Sequence, residues 1–163
     1  MRSAYGAKEI GIGEHPVTIV VDVANVMGSR PDGWWRDRAG AAVRLHAELV
    51  GLAASGRGVP PGEKDPPDFV MVLEGAAKAA AGRLFVASPG DSPPGDATPG
   101  EARPGEVRVV LAPGSGDDAI VAVVRELPGH RVVVTADREL RERCVAAGAT
   151  ILRPGWLLGL LRP

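Results

Sequence analysis

The sequence contains one cysteine, few aromatic residues and no excess of charge of either sign. Cys144 is the only cysteine among 163 residues, which excludes an intramolecular disulfide and a zinc site built from several cysteines. Lysine and arginine number 19 against 20 aspartate and glutamate residues, for a net charge of -1. A charge so close to zero supplies no general basic field, so binding of a nucleic acid would need local arginines or a bound metal ion.

The sequence also lacks a long hydrophobic run. No segment approaches the roughly 18 uncharged apolar residues of a membrane span, and residues 1–14 contain no apolar core of a secretory signal. We therefore expect a cytoplasmic protein that has no membrane partner. Aromatic residues make up only 4% of the chain, but apolar residues as a whole make up 45%. That content and length predict one packed domain over residues 1–163.

Glycine and proline are abundant, with 22 and 15 residues, and they concentrate in two stretches. Residues 57–67 contain four prolines and two glycines, which predicts a loop. Residues 89–104 are low in complexity and have nothing to bury. We therefore expect a mobile surface insertion over residues 88–106.

Short apolar runs alternate with amphipathic segments along the rest of the chain. Strands are predicted over residues 16–23, 68–73, 107–111, 131–134 and 150–152. Helices are predicted over residues 34–55, 117–127 and 138–147, with a short helix at 76–81 and a terminal helical turn at 156–161. Residues 84–87 fit either a short strand or an apolar anchor. The alternation predicts an α/β fold with a mainly parallel central sheet of four to five strands, flanked by helices on both faces.

Carboxylates follow four successive predicted strands. They are Asp22, Glu74, the pair Asp117 and Asp118, and Asp137. Because the carboxyl ends of parallel strands meet at one edge of a sheet, we expect these side chains to lie close together. Clustered carboxylates repel one another unless a cation lies between them, and Mg²⁺ or Mn²⁺ suits oxygen ligands.

Helix capping is an alternative explanation for some of these acids. Asp117 and Asp118 fall in the first turn of a predicted helix, where the helix dipole favours negative charge. Asp137 directly precedes another helix and fits its N-cap position. Capping does not explain Asp22 and Glu74, which follow apolar strands.

Three segments occur in the order and spacing of a known family: D-V-A-N at 22–25, S-G-D-D-A-I at 115–120 and V-V-T-A-D-R-E-L at 133–140. They resemble the motifs of the NYN domain, a branch of the PIN-like ribonuclease superfamily, and more closely those of its YacP-like members. The resemblance covers most of the chain, apart from the first dozen residues and residues 88–106. It implies a PIN-like, Rossmann-like three-layer sandwich and a metal-dependent ribonuclease that cuts RNA endonucleolytically with Mg²⁺ or Mn²⁺.

The same resemblance implies roles for individual residues. Catalysis and metal binding would fall to Asp22, Asp117, Asp118 and Asp137. Glu74 stands where family members often have aspartate, and we expect it to be an outer ligand. Asn25 would contact a phosphate or a metal-bound water. Thr135 matches the small hydroxyl residue that precedes the last acid by two positions, and we group it with the substrate-binding residues.

Because the net charge is close to zero, local arginine and aromatic side chains are expected to hold the RNA. The three histidines lie away from the predicted acidic edge, which disfavours nucleophilic catalysis by a Ser/His/Asp or Cys/His set. The expected substrate contacts are Arg30, Trp34, Arg36 and Arg138, with Arg38 as a further phosphate contact. Trp34 is expected to be exposed and to stack on a base. Trp35 falls in the apolar register of the helix predicted from residue 34 and is expected to pack in the core.

Other functions remain open at this point. An RNA-binding or protein-binding module on the same fold, with weak or lost catalysis, is compatible with the neutral charge and with Glu74. A homodimer or a protein partner is compatible with the sequence as well. A dehalogenase-like enzyme with Asp22 as nucleophile is disfavoured, because Ala24 stands where that pattern has a second acid. A dinucleotide site is disfavoured because V-A-N-V-M-G, not a glycine-rich turn, follows the first strand.

Overall fold

A five-stranded parallel sheet forms the centre of the structure, a computed structural model that describes residues 17–86 and 107–162. The strands are β1 (Val17–Asp22), β2 (Asp68–Leu73), β3 (Val107–Leu111), β4 (His130–Val134) and β5 (Thr150–Leu152). Their order in the sheet is β3-β2-β1-β4-β5, and every neighbouring pair is parallel. The predicted insertion at 88–106 lies outside the described residues.

Helices cover both faces of this sheet. They are α1 (Val23–Gly28), α2 (Arg38–Ser55), α3 (Ala81–Val86), α4 (Gly116–Glu126), α5 (Arg138–Ala146) and α6 (Pro154–Leu161), with 3₁₀ helices at Trp34–Arg36 and Gly75–Ala80. Ile19 and Val21 of β1 point into the core shared with α1, α2 and α6. Val20 points to the opposite face, into the core shared with α4 and α5. The three-layer α/β fold predicted from the sequence is therefore confirmed.

Two local predictions differ from the structure. Helix α1 was not predicted, because its valines continue the β-branched run of β1 and favour a strand. The helix predicted over 34–55 is divided at Asp37, whose extended backbone (φ −150°) ends the 3₁₀ helix. The Asp37 carboxylate then accepts the Gly40 N–H at 2.8 Å and caps α2.

The segment at 84–87 is not a strand, because α3 continues through Val86. Leu84 packs against the core on the α2 face, as the apolar-anchor alternative predicts. Within residues 17–86 and 107–162, no helix is both long enough and apolar enough to cross a bilayer.

The strand order reverses direction between β1 and β4. From β1 the chain moves outward on one side to β2 and β3, and it then crosses to the other side for β4 and β5. In open parallel sheets of this kind, ligands bind in the crevice beyond the carboxyl ends of the two strands at which the order reverses. The carboxyl ends of β1 and β4 are therefore where a functional site is expected.

Candidate active site at the carboxyl edge of the sheet

Strand alternation sends three polar side chains toward the same face at this edge. Asp22 ends β1 and follows Val21, which faces α2, so its own side chain is directed toward α4 and α5. Glu74 follows Leu73 of β2 in extended conformation, and Thr135 follows Val134 of β4, and both preceding residues face α2. The edge thus collects polar groups beside the N-termini of α4 and α5.

Asp22 is buried, with only 8% of its surface exposed, and is held at both carboxylate oxygens. Oδ1 accepts the backbone N–H of Asn25 at 3.3 Å, and Oδ2 accepts the Thr135 hydroxyl at 2.9 Å. The first of these bonds makes Asp22 the N-cap of α1, so the expectation that capping does not explain this residue is wrong. Burial raises the pKa of Asp22 from 3.8 to about 6, against the opposing effect of these two hydrogen bonds. The negative charges of Asp117 and Glu74 raise this pKa as well.

The Thr135 hydroxyl connects Asp22 to Asp137. Thr135 Oγ1 donates to Asp22 and accepts the backbone N–H of Asp137 at 3.1 Å. Asp137 in turn accepts the Leu140 N–H at 2.8 Å and caps α5. The side chain of Thr135 is fully buried, and its hydroxyl holds the Asp22 carboxylate beside the backbone of Asp137. Its predicted contact with substrate stays a prediction.

Asn25 makes a second connection between the ends of β1 and β4. Its side-chain Oδ1 accepts the backbone N–H of Ala136 at 2.8 Å. The start of α1 is thereby fixed to the loop that carries Asp137. This bond engages the carbonyl oxygen, so only the Nδ2 amide group of Asn25 is left for the predicted contact with a phosphate.

The structure separates the roles of Asp117 and Asp118. Burial raises the pKa of Asp117, and the charges of Asp137 and Glu74 raise it further. Asp118 is 72% exposed, and its carboxylate accepts a 2.8 Å hydrogen bond from the Arg143 guanidinium. The charge of Asp117 is one of the causes that raise the pKa of Asp22. Of the two, Asp117 therefore shares the edge with Asp22.

Glu74 is a cap as well as a member of the acidic edge. Its Oε2 accepts the backbone N–H of Gly116 at 2.7 Å, at the first turn of α4. A Cβ atom at position 116 would lie 2.3 Å from this oxygen, so glycine allows the carboxylate to approach the backbone in its present position. The carboxylate of Glu74 thus fixes the N-terminus of α4 against the end of β2.

The four acids of this edge, Asp22, Glu74, Asp117 and Asp137, are all oxygen donors, which suits a hard divalent cation. In the described part of the chain, however, no three histidine, cysteine, aspartate or glutamate side chains converge closely enough to hold one ion. Mg²⁺ is commonly held by one or two carboxylates, with waters and substrate phosphates completing its shell. Asp22 and Asp117 are the two acids of this edge whose pKa values are raised, and the charge of Asp117 contributes to the raised pKa of Asp22.

Two of the arginines predicted to bind substrate have partners elsewhere. Arg30 makes a bidentate ion pair with Glu48 of α2, at 2.8 and 2.7 Å, and this hydrogen bonding raises the pKa of the guanidinium. The pair joins the loop after α1 to α2, so a phosphate contact by Arg30, which stays a prediction, would compete with Glu48. Arg138 is exposed and lies 3.4 Å from Glu142 one turn along α5.

The two tryptophans have the reverse of their predicted exposures. Trp34 is half-buried and packs against the core, whereas Trp35 is 55% exposed. The break at Asp37 explains the reversal, because the helical register of α2 does not extend back to residue 35. Arg36 and Arg38 are exposed beside these rings.

Sequence reasoning did not find Glu48 or Arg143. Each is joined to its partner, Arg30 or Asp118, across 18 or 25 residues of sequence, and no local pattern marks such a pair.

No protein-family model matches the chain, and neither a curated protein nor a solved structure matches it. The inference of function therefore starts from the geometry of the edge.

Proposed function

We propose that this protein is a metal-dependent ribonuclease that hydrolyses phosphodiester bonds within RNA. The observation that carries the proposal is the sharing of one sheet edge by Asp22, Asp117, Glu74 and Asp137. The like charges of these groups raise the pKa of Asp22 and of Asp117. Such repulsion destabilises the ionised site unless a cation neutralises it. The edge lies where the strand order reverses, which is the usual ligand site of an open parallel sheet.

The chain's own residues would orient the reacting phosphate. Asp22, fixed by Thr135 and by the Asn25 backbone, would hold Mg²⁺ or Mn²⁺ together with Asp117. A bound divalent cation supplies charge for the phosphate oxygens and lowers the pKa of a coordinated water. Asp137 would accept a hydrogen bond from such a water, and the Asn25 amide N–H₂ would donate to a phosphate oxygen.

The histidines of the described chain do not offer an alternative catalytic base at this edge. His46 lies on α2, and burial lowers its pKa. His130 begins β4 at the opposite, amino edge of the sheet, where it contacts Glu63 and Thr150. Carboxylates are therefore the acid and base groups that the edge provides.

A cleavage assay tests this proposal. Linear and circular single-stranded RNAs are incubated with the protein in Mg²⁺, in Mn²⁺ and in EDTA. We expect cutting of both RNAs with metal and none in EDTA, and Asp22→Asn to reduce the rate more than about 100-fold. Asp65→Asn is the matched control, because Asp65 is an exposed acid in the loop before β2. Cutting that persists in EDTA or in Asp22→Asn contradicts the proposal.

A binding module without catalysis is the second candidate. It is favoured by the absence, within the described residues, of three acids that converge on one ion. In this case the protein would retain RNA or a protein partner but cut no RNA in any metal. The same assay, combined with a binding measurement in EDTA, separates the two candidates.

A further inference from the structure

Trp35 exposes a large aromatic surface on a rigid support. The 3₁₀ helix that carries it is closed by a hydrogen bond from the Arg36 N–H to the Gly33 carbonyl, at 3.0 Å, and the Asp32 carboxylate accepts the Trp34 N–H at 3.2 Å. The Trp34 ring packs against the core and meets Trp35 edge to face, with ring centroids 6.3 Å apart. Trp35 is thus held outward at 55% exposure.

Two exposed guanidinium groups lie against these rings. Arg36 lies 5.8 Å from the centroid of Trp35, and Arg38 lies 5.3 Å from that of Trp34. Arg30, in contrast, is neutralised by Glu48. The carboxylates of Asp32 and Asp37 accept backbone N–H groups of this segment. The surface therefore combines an aromatic ring that is 55% exposed with two guanidinium groups, and both kinds of group bind single-stranded nucleic acid.

The surface formed by Trp34, Trp35, Arg36 and Arg38, here the tryptophan surface, lies at the same end of the sheet as the four acids. Since β1 and β2 are parallel, α2 must return the chain to the amino edge, so its N-terminus and the preceding residues 29–37 lie toward the carboxyl edge. A Cβ atom at Gly28, the last residue of α1, would lie 3.7 Å from the Trp34 ring, so the ring lies beside the end of this helix. Helix α1 starts directly after Asp22 and has six residues, which is a length of about 9 Å. The acids face α4 and α5, whereas Trp34 packs on the α2 side of the sheet. An RNA strand bound at the acids would therefore cross the carboxyl edge to reach Trp35.

We propose that Trp35 stacks on an unpaired base of single-stranded RNA, with Arg36 and Arg38 contacting the adjacent phosphates. This inference deepens the proposed ribonuclease function and rests on it for the identity of the ligand. The occupant is a single strand because base faces in a duplex are covered by their neighbours. With at most two phosphate contacts, binding depends on stacking more than on charge. The slope of log affinity against log salt is then about −1.4.

Binding is measured by fluorescence anisotropy with a labelled single-stranded RNA in EDTA, so that cleavage does not interfere. Trp35→Leu keeps apolar bulk but removes the stacking face, and we expect affinity to fall about 5- to 150-fold. Trp35→Tyr keeps an aromatic face and retains most of the affinity. Val145→Ala is the control, because Val145 on α5 is equally exposed, at 58%, and we expect no change.

The salt dependence gives a second readout that does not require a change at Trp35. Arg36→Gln is expected to reduce the slope by about 0.7, which corresponds to the loss of one phosphate contact. Duplex RNA of the same sequence is expected to bind native protein and Trp35→Leu equally.

Several results would overturn the inference. One is that the native protein binds no RNA, and another is that Trp35→Leu binds single-stranded RNA as tightly as the native protein does. A third such result is that sedimentation shows a dimer of the native protein that depends on Trp35, while the native protein binds RNA no better than Trp35→Leu. The cleavage assay remains a separate measurement. Trp35-dependent binding without cutting would contradict the nuclease proposal alone, whereas metal-dependent cutting with unchanged binding by Trp35→Leu would contradict the stacking inference alone.

Discussion

The hydroxyl of Thr135 donates to the carboxylate of Asp22 at 2.9 Å, across 113 residues of sequence. Both side chains are buried, so the bond is shielded from competing water. The same hydroxyl accepts the N–H of Asp137, and it therefore fixes the distance between acids at the ends of β1 and β4. The positions of these two acids relative to each other therefore depend on this buried link.

Replacement of Thr135 by valine tests the link. Thr135→Val preserves shape but removes both hydrogen bonds, which raises the pKa of Asp22 further because one of the two effects that lower it is lost. We expect RNA cleavage to fall about 10- to 100-fold and the free energy of unfolding to fall by about 1–3 kcal/mol. Thr135→Ser restores the hydroxyl and should restore most of the activity. Full activity in Thr135→Val would exclude this positioning role.

The buried carboxyl group of Asp22 predicts a pH dependence of stability. Its pKa of about 6 in the folded protein lies above its ordinary value of 3.8, so the folded state binds this proton more tightly. The contribution of protonated Asp22 to the free energy of unfolding is complete below pH 3.8 and is lost as the pH rises through about 6. In EDTA, Asp22→Asn should therefore gain stability relative to native protein between pH 4 and pH 7, by up to about 3 kcal/mol. Urea unfolding of both proteins measures this difference, and a constant difference across that range contradicts it.

Glu74 caps α4 and contributes charge to the edge, and two variants separate these effects. Glu74→Gln keeps an oxygen for the Gly116 N–H but removes the charge that raises the pKa of Asp22 and of Asp117. Glu74→Ala removes both. If Glu74 acts as a cap alone, Glu74→Gln should keep its melting temperature and its cleavage rate, and Glu74→Ala should lose about 1 kcal/mol of stability. A large loss of Mg²⁺-dependent cleavage in Glu74→Gln would show instead that the carboxylate takes part in metal binding.

Arg131 stabilises the opposite, amino edge of the sheet. Its guanidinium donates to the carbonyl of Val124 at 2.7 Å and to that of Ala147 at 3.4 Å, and so joins the C-terminal ends of α4 and α5. Cations at helix C-termini also interact favourably with the helix dipole. We expect Arg131→Gln to lower the free energy of unfolding by about 1–3 kcal/mol and to leave RNA binding unchanged. The exposed Arg125 of α4 provides the control, since Arg125→Gln should leave stability nearly unchanged in the same urea titration.

The layers of the fold follow from local sequence patterns. The runs V-T-I-V-V-D and D-F-V-M-V-L are apolar on both faces, which only a strand covered by helices on two sides satisfies. The acids at the strand ends are equally local, because a parallel sheet brings all carboxyl ends to one edge. Helix α1 was not predicted, because its first residue continues the β-branched run of β1. The helix is stabilised by the packing of Val23 and Val26 in the core.

The finer features of the site depend on contacts between distant segments. Asp117 lies at the edge, whereas Asp118 makes an ion pair with Arg143. The sequence of two adjacent aspartates does not show which of them lies at the edge. The exposure of Trp35 depends on the backbone of Asp37, which interrupts the helical register two residues later. The sequence pattern marks Thr135 by its position two residues before Asp137, but its burial and its bond to Asp22 are tertiary features.

The central claim is tested most directly by a comparison of the two adjacent aspartates in one assay. RNA cleavage is measured under single-turnover conditions at saturating Mg²⁺ for native protein, Asp117→Asn and Asp118→Asn. We expect Asp117→Asn to lose more than about 100-fold in rate. Asp118→Asn, which loses only an exposed ion pair, should stay within about fivefold of native protein. Equal losses in the two variants, or no loss in Asp117→Asn, would contradict a metal site built on Asp22 and Asp117.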